Sequence, residues 1–208
     1  MGLARTVPAA ACAALLVAGP AGAAVVLDED FSDELAAAGG SSVLDFAAFD
    51  EFMVSGGTVD LVASGEFGIT CDGACVDLDG SSGAPGQLST APILFAAGVT
   101  YTLEFLLGGN QRVPGTDTVS YGIGSLFATS TPVAQDDPFN NILYTFDGDG
   151  GTHALFFQND GSDNYGALLD RVLITSAGGP APIPLPATLP LLAGGVALIG
   201  LARRRAGR

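Results

Sequence analysis

The sequence predicts an all-β fold, a β-sandwich, for the middle of the chain. Short runs rich in Val, Thr, Tyr, Leu and Phe are separated by Gly, Asp, Asn and Pro, the residues that favour turns. Within residues 99–105, apolar side chains at every second position alternate with Thr and Glu, as in a strand with one buried face. No long segment has the 3.6-residue period of a helix, and many short strands without helices between them are typical of a sandwich.

The runs predicted to be strands are residues 58–62, 75–78, 87–95, 100–107, 117–123, 126–130, 142–146, 152–158 and 168–175. Short helical turns are predicted only at residues 33–38 and 43–49. We find no internal repeat with the period of a solenoid. The middle of the chain is therefore expected to be one domain.

The N-terminus has the pattern of a signal peptide, which we assign to residues 1–23. Arg5 supplies a positive charge, residues 7–19 form a short apolar core, and small residues follow at 21–23. Cys12 lies inside the apolar core and not after it, which argues against a lipoprotein. Cleavage by signal peptidase would leave a mature chain that begins near Ala24.

The C-terminus combines a stiff stem, a short apolar run and a basic end. Two prolines follow Ile183 and keep the stem extended, because proline cannot join a helix from this side. The apolar run is at the lower limit of what crosses a bilayer. The chain closes with Arg203, Arg204, Arg205 and Arg208, a cluster that stays on the cytoplasmic side of a membrane. The pattern fits a permanent membrane anchor, and it also fits a segment that stays in the membrane only until the chain is cleaved.

These residues resemble the VPLPA variant of the PEP-CTERM sorting signals of Gram-negative bacteria. The motif residues are Ile183, Pro184, Leu185, Pro186 and Ala187, with Ile183 where the family usually has Val. The resemblance implies transient insertion into the inner membrane and cleavage by an exosortase, an integral-membrane transpeptidase. It also implies release to the cell surface or the extracellular matrix. We therefore divide the rest of the chain into a domain at 24–176, a linker with the motif at 177–187, and a membrane helix with a basic tail at 188–208.

The expected mature domain is strongly acidic. All 22 acidic residues of the chain lie in it, whereas Arg112 and Arg171 are its only basic residues, so its formal charge is −20. Such a charge repels nucleic acid and anionic lipid, and we predict no nucleic-acid partner. A salty habitat and a role in cation binding both remain open as reasons for this composition.

A second resemblance rests on motifs that follow one another in order at residues 58–61, 76–81, 98–105, 109–112, 156–159 and 166–172. In this order they are similar to exported PEP-CTERM-type proteins with a galactose-binding-like jelly roll. The resemblance implies that the sandwich is a single jelly roll. The sequence departs from the pattern at Phe52, where Trp is frequent, and at Arg171, where Asn is usual. The missing Trp removes one aromatic platform on which a sugar could stack.

Two acidic turns are candidate calcium sites. Asp147 and Asp149 lie in one Gly-rich turn, and Asp160 and Asp163 lie in another. Carboxylate oxygens on such turns suit Ca²⁺, and a structural Ca²⁺ ion is one interpretation. The alternative is that Asp and Gly are simply the residues that hairpin turns favour. Neither turn reproduces the ligand spacing of an EF-hand loop.

A second candidate group consists of Asp77, Asp79, Asn110, Arg112 and Asp170. We expect a buried Arg112 to pair with Asp77 or Asp170 through bidentate hydrogen bonds that hold the two sheets together. The same side chains would suit the hydroxyl groups of a polysaccharide if they opened onto a concave face. An exposed Arg112 in a groove, with an aromatic ring beside it, would favour the ligand-binding interpretation.

Cys71 and Cys75 are close together in a chain predicted to be exported, and we expect them to form a disulfide. Catalysis is poorly supported, because His153 is the only histidine and no nucleophile elbow is present. Three functions remain: a non-catalytic surface or matrix protein for adhesion or biofilm, a carbohydrate-binding module displayed at the cell surface, and a glycoside-type hydrolase with an acidic site. The first is the leading interpretation, and no cofactor besides Ca²⁺ is expected.

Overall fold

A computed structural model describes residues 22–161 and 163–178. The predicted signal peptide up to residue 21, the sorting motif, the C-terminal apolar run and the arginine cluster lie outside the described residues. Within the described part of the chain, no helix is long and apolar enough to cross a membrane.

The described residues form one short helix and fourteen strands. In chain order these are β1 (Ala24–Glu29), α1 (Ser32–Ala37), β2 (Val43–Phe46), β3 (Phe52–Ser55), β4 (Val59–Ala63), β5 (Ala74–Asp77), β6 (Gln87–Thr90), β7 (Ile93–Leu94), β8 (Thr100–Gly108), β9 (Thr116–Ile123), β10 (Phe127–Ala134), β11 (Asn140–Asp147), β12 (Thr152–His153), β13 (Leu155–Asn159) and β14 (Leu168–Ser176). The predicted all-β fold is confirmed.

Two antiparallel sheets make up the sandwich. The larger sheet has the order β11-β8-β14-β5-β4-β2, with β1 paired to β14, and the smaller sheet has the order β10-β9-β13-β6-β3. Phe105 of the larger sheet packs edge-to-face on Tyr121 and Phe157 of the smaller sheet, with ring centroids 4.8 and 5.0 Å apart. These buried rings join the two layers, because each strand turns every second side chain toward the core.

The larger sheet also has a covered outer face at β4 and β5. Val62 and Cys75 point away from the main core and form a second buried cluster with Ile69 and Leu168. Loops lie over this face, so both sides of β4 are buried. The Cys71–Cys75 disulfide is present at the edge of this cluster, as predicted. The covered face positions the candidate site described below.

The helical turn predicted at residues 43–49 is wrong. Val43–Phe46 is β2, an edge strand in which Val43 pairs with Leu61 and Phe46 with Val59. Phe46 and Phe49 are three residues apart, a spacing that mimics a helix, but their rings pack edge-to-face outside any helix at 4.8 Å. The turn predicted at residues 33–38 is confirmed as α1.

Two predicted strands are each divided in the structure. The run at residues 87–95 breaks at Ala91 and Pro92 into β6 and β7, and the run at 152–158 breaks at Ala154 into β12 and β13. In both runs one part belongs to the smaller sheet and the other to a separate ribbon of β7 and β12. Periodicity does not reveal such a change of partner. Strands β1 and β3 were missed altogether.

Candidate functional site

A groove of about 210 Å³ lies on the outer face of β4 and β5, under the loops that cover that face. We call it the Arg112 groove; its lining includes Leu44, Asp60, Phe67, Ser81, Arg112 and Tyr165. The position follows from strand alternation, because Asp60 and Asp77 face each other in the β4–β5 pair while their neighbours Leu61 and Val76 face the core.

The loop after β8 directs Arg112 into the groove. Asn110 organises this loop: its Oδ1 accepts hydrogen bonds from the backbone N–H groups of Arg112 at 2.9 Å and Val113 at 2.8 Å. Its Nδ2 donates to the carbonyl oxygens of Val113 and Tyr165, each at 3.2 Å. Gln111, which lies between Asn110 and Arg112, has a φ of 57°, in the left-handed region. The Asn side chain thus replaces backbone partners that a tight turn cannot supply.

Arg112 forms an ion pair with Asp77 and not with Asp170. Its Nη2 donates to Oδ2 of Asp77, and its Nε donates to the carbonyl oxygen of Asn110 at 3.3 Å. The other carboxylate oxygen, Oδ1, accepts from the backbone N–H groups of Asp79 at 3.1 Å and Gly166 at 2.9 Å. The bond to Arg112 is therefore single and not the bidentate pair that we expected. Both oxygens of Asp77 have protein donors.

Burial raises the pKa of Asp77 to about 7. The side chain is 1% exposed, and removal of a carboxylate from water disfavours its charged form. The backbone N–H groups and the Arg112 guanidinium lower the pKa, whereas the neighbouring Asp60 raises it. The net result is a carboxyl group that changes its charge near neutral pH at the base of the groove.

Tyr165 gives the groove an aromatic wall beside Arg112. The guanidinium carbon of Arg112 lies 4.8 Å from the centroid of the Tyr165 ring, within the range of a cation–π contact. Arg112 remains 19% exposed at this position. Arg112 therefore has two functions in the structure, because it neutralises a buried carboxylate and also presents a charged group to an open groove.

Asp60 also lines the groove and is held by three hydrogen bonds. Its Oδ1 accepts from the backbone N–H groups of Asp45 at 2.8 Å and Ser81 at 3.1 Å, and its Oδ2 accepts from Oγ of Ser81 at 2.7 Å. Asp60 and Asp77 are directly opposite in the β4–β5 pair, but every oxygen of the two carboxylates accepts a bond from the protein. They are organised as fixed structural groups, not as a free acid and base.

Apolar side chains stand at the mouth of the Arg112 groove. Leu44 of β2 is 49% exposed and Phe67 is 52% exposed, although large apolar residues are usually buried. With Tyr165 they add flat, apolar surface to the polar groups of Arg112 and Ser81. Such a combination suits a ligand with apolar faces and polar edges.

The structure brings four of the five predicted network residues together. Asp79 accepts at Oδ2 from the backbone N–H of Asp163 at 3.2 Å and lies next to Asp77, while Asn110 and Arg112 occupy the adjoining loop. Asp170 is elsewhere: its Oδ2 accepts from the backbone N–H of Asp72 at 3.1 Å. It lines a separate acidic cavity of about 660 Å³ that also contains Glu29 and Glu34.

Sequence reasoning missed Leu44, Asp60, Phe67 and Ser81 as parts of this site. Phe67 carried a usable signal, because it stands between Glu66 and Gly68 in a turn and turns run over the protein surface. The other three gave none, since their residue types are ordinary for strands and turns.

The four candidate calcium ligands are in two different turns with other partners. Asp147 accepts from Oγ1 of Thr100 at 2.7 Å, and Asp149 contacts Nε2 of His153 at 3.0 Å. Asp160 accepts from the backbone N–H of Thr118 at 2.8 Å, and Asp163 accepts from that of Tyr165 at 3.3 Å. Among residues 22–161 and 163–178, no group of three or more His, Cys, Asp or Glu side chains is placed to hold a metal ion. The calcium site stays a prediction.

No protein-family model matches the sequence, and no curated protein matches it. Several solved structures match this chain. The CBM22-1 xylan-binding domain of Xyn10C from Paenibacillus barcinonensis has a TM-score of 0.49 at 11% identity, over 78% of this chain and 100% of that one. TmCBM61 in complex with β-1,4-galactotriose has a TM-score of 0.43 at 18% identity, over 61% and 88%. The K3 cleaved adhesin domain of Lys-gingipain from Porphyromonas gingivalis has a TM-score of 0.42 at 16% identity, over 74% and 99%. These neighbours are carbohydrate-binding modules and an adhesin domain.

Proposed function

We propose that this chain is an exported, non-catalytic polysaccharide-binding protein of the cell surface or extracellular matrix, and that the Arg112 groove holds one sugar unit. The observation that carries the proposal is the stack of Arg112 on Tyr165 in the wall of an open groove. A partly exposed arginine beside an aromatic ring in a groove favours a ligand site over a purely structural ion pair.

The chemistry of the groove matches that of a pyranose ring. A sugar has apolar faces formed by its C–H groups and an edge of hydroxyl groups. Phe67 and Leu44 offer exposed apolar surface for a face, and the guanidinium of Arg112 can donate to a hydroxyl oxygen. Adhesion to a matrix polysaccharide would then be the biological use of the binding. A low affinity per sugar is expected for so small a groove, so several copies would act together on one polymer.

Glycan binding by the full chain tests the proposal. The Phe67→Ala variant should bind its best polysaccharide at least about tenfold more weakly on a glycan array and by calorimetry, because it removes an exposed apolar contact at the mouth of the groove. The matched control is Leu94→Ala, since Leu94 is 62% exposed and outside the groove. Equal binding by Phe67→Ala and the unchanged chain would contradict the site. Release of reducing ends from the bound glycan would contradict the non-catalytic function.

The C-terminal segment is proposed to determine export through an exosortase. The support is the sequence alone: Pro184 to Ala187, the apolar run and the four terminal arginines stand in the order of such a signal. Deletion of residues 184–187 should leave an unprocessed precursor in the inner membrane, measured by fractionation and by the mass of the mature protein. Unchanged release of the mature domain, or a surface form that still carries Arg208, would contradict this route.

A further inference from the structure

β11 lies at one edge of the larger sheet. It pairs with β8 on one side, and no strand of residues 22–161 and 163–178 pairs with it on the other. Six of its eight residues are exposed. Even Tyr144, which lies on the same face as the buried Phe146, is 37% exposed. The backbone along this edge is therefore open to a further strand.

The ladder between β8 and β11 shows which backbone groups of β11 are unused. Gly148, the residue after β11, donates to the carbonyl oxygen of Val99, the residue before β8, at 2.9 Å and so continues the ladder. Bonded pairs in an antiparallel ladder recur at every second residue, so the even-numbered residues of β11 bond to β8. The backbone N–H and C=O groups that point outward are therefore those of Asn141, Leu143 and Thr145.

β11 also lacks the features that usually protect an exposed edge. From Asn140 to Phe146 it has no charged residue and no proline, although the domain carries a formal charge of −20. The other edges of the two sheets are protected. β1 and β2 each contain an acidic residue and a register shift, β10 contains Pro132, and β3 has only four residues. Among the described strands, β11 is thus the edge best suited to pairing.

The sequence of β11 is complementary to itself. When two copies pair antiparallel with the two-fold axis at Leu143, the two Leu143 side chains lie opposite each other. On the other face Ile142 lies opposite Tyr144, an aromatic and β-branched pair of the kind that stabilises sheets. Asp147 lies opposite Phe139, so no carboxylate of the paired strands faces another. A second copy of this chain therefore fits the edge in both shape and charge.

The strand is fixed in place before it meets a partner. Tyr144 stacks on Phe127 of the smaller sheet, with ring centroids 3.8 Å apart, and Phe146 packs edge-to-face on Phe95 at 5.3 Å. All eight residues of β11 pair with β8 without a register shift. Little conformational freedom is therefore lost when a second strand is added.

We propose that two copies of this chain associate through β11, which joins their larger sheets into one continuous sheet across a two-fold axis. Each copy contributes one strand, so the dimer is weak and reversible, with a dissociation constant on the order of micromolar. The inference does not depend on the ligand of the Arg112 groove. A dimer would nevertheless present two such grooves to one polymer and strengthen its attachment.

Sedimentation equilibrium of the full chain in a mild detergent, between about 1 and 100 µM, tests the inference. We expect a monomer–dimer equilibrium that tightens as the salt is raised from about 0.05 to 0.5 M, because salt screens the repulsion between two domains of charge −20. Leu143→Lys should weaken the dimer at least about tenfold, since it places two like charges opposite each other. The monomer should still fold, because Leu143 is 60% exposed and lies opposite Glu104 of β8.

The matched control is Leu94→Lys, because Leu94 is 62% exposed and belongs to the separate ribbon of β7 and β12. Thr145→Pro removes an outward N–H group and spares the ladder to β8, so it should also weaken the dimer at least about tenfold. Oxidation of Leu143→Cys should link two copies covalently. The Cα atoms of a bonded antiparallel pair are about 5.5 Å apart, within the range of about 4.4 to 6.8 Å that a disulfide needs.

A chain that stays monomeric at every concentration would overturn the inference. A dimer that Leu143→Lys weakens no more than Leu94→Lys does would also overturn it, because the contact would then lie elsewhere. Dissociation of the dimer by salt would contradict an uncharged interface. If Leu143→Lys fails to fold, Thr145→Pro and the cross-linking of Leu143→Cys, compared with Leu94→Cys, still decide.

Discussion

Replacing Arg112 with methionine should lower the free energy of unfolding by about 3 kcal/mol, measured by urea denaturation at pH 8. Methionine has a similar length but no charge, so it leaves Asp77 buried without its counter-ion. The cost is high because an uncompensated buried carboxylate keeps its desolvation penalty and loses its attraction. At pH 5 the loss should be smaller, since Asp77, with a pKa of about 7, is then protonated and needs no cation.

The matched control is Arg171→Met, the only other basic residue of the domain. Arg171 contacts Asp28 at 2.9 Å, but the two side chains are 52% and 46% exposed, so water screens the pair. Its loss should cost less than about 1 kcal/mol. Adding Asp77→Asn to Arg112→Met should restore part of the stability, because asparagine keeps an acceptor for the backbone of Asp79 and Gly166. Equal effects of the two arginine substitutions would contradict a buried ion pair.

The domain should be more stable at pH 5 than at pH 8. Burial raises the pKa of Asp77 and of Glu29 to about 7, and it also raises the pKa of Asp79, Asp117 and Asp170. A carboxyl group whose folded pKa is above its unfolded value holds its proton more tightly in the folded state. Its stabilising effect is complete below about pH 4 and is lost as the pH rises to about 7. Asp77 alone would contribute up to about 4 kcal/mol, on the order of 1.4 kcal/mol for each pKa unit.

Urea denaturation between pH 4.5 and 8.5 measures this slope, and Asp77→Asn should reduce it. Repulsion among the surface carboxylates also lowers the free energy of unfolding as the pH rises. The series is therefore repeated in about 0.5 M salt, which screens exposed charges but not buried ones. A slope that salt abolishes would assign the effect to the surface. A maximum at pH 8 would contradict the burial of Asp77. The half-buried Glu66 and the exposed Asp149, whose pKa values are lowered by hydrogen bonds to Ser42 and His153, oppose the trend only in acid.

Local alternation was enough to predict the strands that lie within one sheet. β8 shows this best: its alternating side chains at Thr100–Gly108 are predicted and observed, because each face has one environment over its whole length. The prediction failed where the environment changes along a run. β2 was taken for a helical turn because the three-residue spacing of Phe46 and Phe49 mimics a helix, whereas its pairing with β4 is not visible in local sequence. β6 and β7 were merged because their partners lie in different sheets.

The candidate site was predictable in part, for a similar reason. Arg112 is one of two basic residues in an acidic domain, so composition alone predicts that it pairs with a carboxylate. The choice of Asp77 over Asp170 as partner of Arg112 depends on which strands are neighbours. β5 lies next to β14, but Asp170 faces a different cavity with Glu29 and Glu34. The residues next to Asp170 in the sequence do not indicate which cavity its side chain lines.

The amino-acid sequence by itself determined the class of the fold, the acidic character of the domain and the two basic residues available to its carboxylates, because composition and side-chain alternation act at short range. Only the tertiary structure decided that Phe67, Ser81 and Tyr165 meet at Arg112. Those contacts join segments separated by dozens of residues. Their proximity follows from the order of strands in two packed sheets, which depends on the packing of the whole core.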